Sequence, residues 1–116
     1  MLNYEEVRET RGSKPKYDLG EAKRLVADGK FSMTKRITRF IRNHWDERAR
    51  YAVAEIFDAM SADGFYRSIT LDNIPGITAD VYFVDFGGER WYVKFYIADG
   101  VPVVQMLSCN IDGYDH

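Results

Sequence analysis

The segment Gly87 to Gly100 reads GGERWYVKFYIADG, and it constrains the fold more than any other stretch of the 116 residues. Trp91, Val93, Phe95 and Ile97 alternate with Tyr92, Lys94 and Tyr96, the period-two pattern that sends successive side chains to opposite faces of a strand. Gly87-Gly88 before the run and Asp99-Gly100 after it are hairpin signals, because glycine adopts the positive φ that tight turns need. A strand closed by a hairpin at each end belongs to an antiparallel meander. The neighbouring runs fit that reading. ADVYFVDF (79–86) is expected as the preceding strand, with Val81, Phe83 and Phe86 on one register. VPVVQMLS (101–108) is expected as the following strand, with Pro102 near its start, where a missing donor is tolerable. Further upstream, GFYRSIT (64–70) has the β-branched, alternating character of a first strand, and LDNIPGIT (71–78) is a loop with an Ile-Pro-Gly turn.

Before residue 64 the apolar period changes from two to about 3.6. Asp18 followed by Glu21 resembles a capping box and opens a helix with Leu19, Ala22, Leu25 and Val26 on its apolar stripe. Gly29 stands where a left-handed C-terminal cap is expected, and KFSM (30–33) is read as a short extended link. Thr34 is the expected cap of a second helix to about Asn43, with Ile37, Phe40 and Ile41 inward. Arg36, Arg39 and Arg42, three apart, form a slanting row on its exposed side. Asp46 is the expected cap of a third helix to about Met60, buried through Val53, Ile56, Phe57 and Met60. Helices first and a meander second predict an α+β fold, three helices packed on a mainly antiparallel sheet. Residues 1–116 are expected to form one domain, with the polar residues 1–13 as an N-terminal arm.

Charge is divided along the chain. Residues 1–50 hold 13 Lys/Arg against 8 Asp/Glu, whereas residues 51–116 hold 3 against 10. The basic half predicts a face that meets an anion, with a solvated helical surface as the plainer alternative. No apolar run approaches the roughly 18 residues of a membrane span, and the N-terminus lacks a signal-peptide core, so the cytoplasm is the expected compartment. The one cysteine, Cys109, forms no internal disulfide and reads as a small buried residue. Two histidines, His44 (a helix-end residue) and His116 (at the terminus), give no zinc spacing, and no phosphate-binding glycine motif is present. The expected chemistry uses neither metal nor cofactor.

Three phrases at fixed spacing carry a resemblance. Phe65-Tyr66-Arg67-Ser68-Ile69-Thr70, Asp80-Val81-Tyr82 and the Tyr92/Lys94 pair follow the helical segment KPKYDLGEAKRLVADGK. Together they resemble the MqsR family of toxins from type II toxin–antitoxin systems, whose pattern runs FYKSMT, WQDVY, YxK and a last strand near VSFKEK. The resemblance covers about Lys14 to Val104. It implies a RelE-like fold and a metal-independent mRNA endoribonuclease that stops translation, is restrained by a cognate antitoxin protein, and has mRNA and the ribosome as further partners. Residue by residue, the family's lysine in FYK is Arg67 and its strand tyrosine is Tyr92. Its tryptophan and glutamine in WQDVY are Thr78 and Ala79, and its last-strand lysine falls near Asn110. Two of the four functional positions thus differ from the family.

Metal-free RNA cleavage needs a proton taken from the 2′-OH, charge stabilised on the phosphorane and a proton given to the 5′-oxygen. Arginine stays charged at any ordinary pH, so Arg67 suits a bidentate phosphate clamp and not a base. The alternative is a surface arginine paired with a carboxylate. Tyr92 is the expected proton carrier, helped by the charge of Lys94, and a sheet-face tyrosine under a helix is its alternative. These three are the expected catalytic group. Tyr66 and Tyr82 are candidate base-stacking residues, with packing as the competing role. Arg36, Arg39 and Arg42 are candidates for RNA backbone contact or for an antitoxin's docking face. A second hypothesis is a binding module on the same fold that binds protein or RNA without cutting it; the Ala79 and Asn110 departures favour it.

Overall fold

The computed structural model describes residues 14–45 and 48–113, together with the backbone of residues 6–9. Asp46 and His116, read above as a cap and a terminus, lie outside the described residues, as does most of the N-terminal segment. Within that segment Glu6–Glu9 forms a strand, β1. Then come helix α1 (Leu19–Ala27), strand β2 (Phe31–Met33), helices α2 (Lys35–Trp45) and α3 (Ala49–Ala59), a 3-10 turn (Ala62–Gly64), and strands β3 (Phe65–Leu71), β4 (Thr78–Phe86), β5 (Glu89–Ile97) and β6 (Val104–Ile111). The sheet order is β1-β3-β4-β5-β6-β2. All neighbours are antiparallel except β2, which runs parallel to β6. The expected α+β arrangement is therefore present. Among the described residues no helix is long and apolar enough to cross a membrane.

Local sequence chemistry accounts for the helix ends. Asp18 accepts the backbone N–H of Glu21 at 3.0 Å and caps α1. At the other end Gly29 has φ +79°, and the N–H groups of Gly29 and Lys30 reach back to the carbonyls of Val26 and Leu25 at 2.9 and 2.8 Å. That is a Schellman motif, and only glycine takes its φ without strain. Thr34 Oγ1 accepts from the N–H of Ile37 and starts α2. Gly87 and Gly88, with φ +62° and +79°, form the two-residue turn that fixes the β4–β5 register.

Two readings of the sequence change. The segment KFSM is not only a link, because Phe31–Met33 pairs with Val104–Met106 and becomes the outer strand β2. Arg50 braces the segment in that position: its guanidinium donates to the carbonyls of Gly29 (3.0 Å) and Phe31 (3.2 Å) and lies 3.9 Å over the Phe31 ring. Nor do Val81, Phe83 and Phe86 share a face. Val81 and Phe83 stand on one side of the sheet, while Phe86 packs on Trp45 on the other, as period-two alternation requires for odd and even positions.

The main core lies between the helices and one face of the sheet. Ile37 and Ile41 of α2, Val53, Ile56 and Phe57 of α3, and Trp91, Val93 and Phe95 of β5 meet there, all at most 3% exposed. Each such side chain contributes about 1.5–3 kcal/mol of burial. An aromatic group locks α2 to the β4–β5 hairpin, with Trp91 5.0 Å from Trp45 and 5.9 Å from Phe40 between ring centroids. His44, beside these rings, makes a 2.7 Å contact with Glu89.

Gly64, which opens the stretch GFYRSIT, passes so close to β4 that a Cβ there would stand 2.2 Å from the carbonyl oxygen of Phe83. Backbone cannot yield as a side-chain tip can. Gly64→Ala is expected to cost about 1–3 kcal/mol, read as a lower urea midpoint at unchanged slope.

Candidate active site on the open face of the sheet

Register decides which side chains meet. Ser68 pairs with Asp80, and Asp80 with Phe95, so these face the helices. Arg67 pairs with Val81 and Val81 with Lys94, while Phe83 pairs with Tyr92, so this set occupies the opposite face, where Ile69, Leu71, Ala79, Val81 and Tyr92 form a second buried cluster and Tyr92 keeps 9% of its surface exposed. Arg67 and Lys94 thus flank Val81 from two sides, about 10 Å apart across two strand spacings. Tyr92 stands one pleat along β5 from Lys94.

A β-bulge sharpens the arrangement. Phe65 pairs with Tyr82 and Arg67 with Val81, one step on β4 against two on β3, so Tyr66 is the extra residue. A bulge turns two successive side chains toward one side. Tyr66, half exposed, accordingly lies beside Arg67, whose guanidinium is 4.9 Å from the Tyr66 ring. The ring continues into an aromatic run, Tyr66 to Phe83 at 5.0 Å and Phe83 to Tyr92 at 5.8 Å. Arg90 lies 3.9 Å over Phe83. Phe83 and Arg90 carry no motif, and only the parity they share with Tyr92 signals them in the sequence. Across from Tyr92 in register is Asn110, whose Oδ1 is buried with no hydrogen-bond partner among the described residues. The face therefore offers a guanidinium, a phenol and stacking surfaces in one patch. Metal-free phosphodiester cleavage can use the first as a charge clamp and the second as a proton donor.

The sequence-predicted residues are not all brought together. Arg67, Tyr66 and Tyr92 are. Lys94 is on the same face but fully buried, and presents no surface to a substrate. Tyr82 is a correction. It stands on the helix side, fully buried, with its ring 5.4 Å from Phe65 and 6.0 Å from Phe95, and it presents no surface to a base. Its even position on β4 put it there. Arg36, Arg39 and Arg42 are exposed on α2, on the other side of the sheet from Arg67. Ala79, at the family's glutamine position, is fully buried beside Ile69, where it fills core space.

The phrases that carry the family resemblance also include a latch. Asp80 is fully buried, and its two carboxylate oxygens accept the N–H groups of Lys16 and Tyr17, both at 2.9 Å. Ser68 Oγ donates to the same carboxylate at 2.5 Å and lies 3.3 Å from the Lys14 carbonyl. Tyr17 then donates its phenol proton to the Thr78 carbonyl at 2.6 Å. The segment 14–17 is thereby strapped to β3 and β4 directly behind Arg67. Burial, and next the Asp80 charge, push both Tyr17 and Tyr82 up to about 12.

The sequence model of a family described as motility quorum-sensing regulator, toxin of MqsA, matches residues 14–108. The match takes in the strap, the three helices and strands β2 to β5, and ends inside β6. No curated protein matches the chain.

Two outcomes follow from the latch. Asp80→Ala leaves two part-buried N–H groups and the Ser68 hydroxyl without their acceptor, and is expected to destabilise the fold by about 2–4 kcal/mol in urea denaturation, with Ser68→Ala costing less. Raised tyrosine pKa values mean that above pH 10 the unfolded chain binds fewer protons than the folded one. The stability they contribute is intact below pH 10 and lost as the pH climbs toward 12. Alkaline titration should therefore show tyrosinate absorbance rising in step with loss of far-ultraviolet circular dichroism for these two residues.

Proposed function

As the chain belongs to the MqsR family of toxins that pair with MqsA antitoxins, we propose that it is a metal-independent endoribonuclease that cuts mRNA in the cytoplasm and so inhibits translation. The observation that carries this reading is the meeting of Arg67 and Tyr92 on one sheet face, linked by Tyr66 and Phe83. RNA lies across that face with bases stacked on the exposed Tyr66 ring. Arg67 holds the non-bridging oxygens of the scissile phosphate and stabilises the charge that grows there as the 2′-oxygen attacks. Tyr92 gives its proton to the departing 5′-oxygen, and the neighbouring Lys94 ammonium eases that transfer. The 2′-OH proton passes to water, and the products are a 2′,3′-cyclic phosphate and a 5′-hydroxyl.

The arginine row of α2 serves another contact. A strand of RNA held at Arg67 does not reach it through the sheet. Its position supports docking of the cognate antitoxin or contact with ribosomal RNA. A non-cutting RNA- or protein-binding module is the second reading, favoured by the buried Ala79 and by Asn110 in place of lysine.

Induced expression separates the two. Wild-type protein should arrest growth and yield cut transcripts, and purified protein should cut RNA in excess EDTA. Arg67→Ala should lower the cleavage rate at least about 100-fold and Tyr92→Phe by a similar factor. Arg67→Lys, which keeps the charge, should retain measurable activity. Intact transcripts and normal growth with wild-type protein would sink the nuclease reading.

A further inference from the structure

Independently of the nuclease reading, we infer that the groove bounded by α1, β2, α2 and α3 is a docking site for an acidic amphipathic helix of a partner protein. The groove has a volume of about 690 Å³. Val26, Phe31, Met33, Ala49 and Ala54 give it an apolar lining, and Arg42, Arg48 and Arg50 add three cations. At Thr38 and Arg42 it joins a second hollow of about 550 Å³, which brings in Lys35 and Arg39. Among the described residues no carboxylate lines either hollow.

Five cations around an apolar floor match a surface that carries carboxylates and aliphatic side chains together. Nucleic acid supplies the negative charge but no aliphatic group to cover Met33 and Ala54. A helix also fits better than a strand. β2 is the outermost strand of the sheet, yet Arg50 already donates to the Phe31 carbonyl, so a strand added at that edge meets a filled acceptor. A helix satisfies its own backbone and presents side chains at i, i+3, i+4 and i+7 to a groove. The rim is held in readiness. Arg50 is fixed by the Gly29 and Phe31 carbonyls and by the Phe31 ring, and Arg48 lies 4.8 Å over the Tyr51 ring. A guanidinium already stacked on a ring gives up little freedom when it meets a carboxylate. Tyr51, 62% exposed, marks where the basic section ends, because past it the surface is lined by Glu55 and Asp58. The acidic side of a docked helix therefore lies toward α2.

The test uses fluorescein-labelled synthetic peptides of about 18 residues, long enough to form a helix, read by fluorescence anisotropy against the full chain. One carries leucines at i, i+3, i+4 and i+7 flanked by glutamates. A second has lysines for the glutamates, and a third has serines for the leucines. The glutamate–leucine peptide is expected to bind at least about tenfold more tightly than the lysine–leucine one, and to weaken as salt rises. The double variant Arg42→Glu/Arg48→Glu, both exposed positions, should reverse that order, with an unchanged thermal unfolding midpoint as the check on folding. Equal affinities for the two leucine peptides, or an order unchanged in the double variant, overturns the docking site. Binding of the serine peptide as tight as that of its leucine counterpart marks a general polyanion face, such as one for RNA, and overturns it as well. RNA cleavage plays no part in these measurements, so their failure and that of the nuclease reading are separate results.

Discussion

A single buried carboxylate organises the molecule's two ends. Asp80 sits in the second sheet strand, yet its partners are the main-chain N–H groups of Lys16 and Tyr17, more than sixty residues earlier. A charge so enclosed is stable only if its oxygens are filled with donors, and here backbone and Ser68 fill them. The consequence is mechanical. Segment 14–17 cannot leave without stranding a charge, so α1 is anchored at its entry and β3 is tied to β4 beside the bulge that aims Arg67. The candidate site's rigidity therefore comes from the helix side of the sheet, while Arg67, Tyr66 and Tyr92 stand on the other.

That division explains why a motif phrase mixes roles. In Phe65 to Thr70 the residues alternate between purposes because the strand alternates between faces. Tyr66 and Arg67 face outward together through the bulge, whereas Ser68 turns in to the latch. In Asp80-Val81-Tyr82 the two outer members look to the helices and only Val81 looks to the site. A short sequence signature is thus partly a record of how a strand is fastened and only partly a record of what it does.

Much of the architecture was legible before any coordinates. Asp18, Gly29, Thr34 and the Gly87-Gly88 pair state their local geometry through side-chain chemistry or positive φ, and each acts over a few residues. Trp91, Val93 and Phe95 were placed on one face by period alone. What stayed hidden depends on distant partners. Phe31–Met33 is too short to announce a strand, and it becomes one only because β6 lies alongside. The bulge at Tyr66 is a mismatch between two strands, so neither strand shows it by itself. Tyr82 looked like a stacking residue because an aromatic on a strand is equally good on either face, and the face was set by the register. Phe83 and Arg90 show no joint role in the sequence for a similar reason: a phenylalanine and an arginine gain a joint meaning only once cross-strand pairing puts one over the other.

The parallel pairing of β2 with β6 has a temporal side. Phe31 meets Val104, so the outer strand, which Arg50 holds ready, gains its partner only when β6 has been made. β6 also supplies Asn110 opposite Tyr92. Contacts of such long sequence separation form late, because the loop they close must first be ordered. During synthesis the helices and the β3–β5 meander can assemble while the sheet still lacks one wall. A sheet built this way gains the wall beside Tyr92 last, so the candidate site is complete only once β6 has been made and has docked.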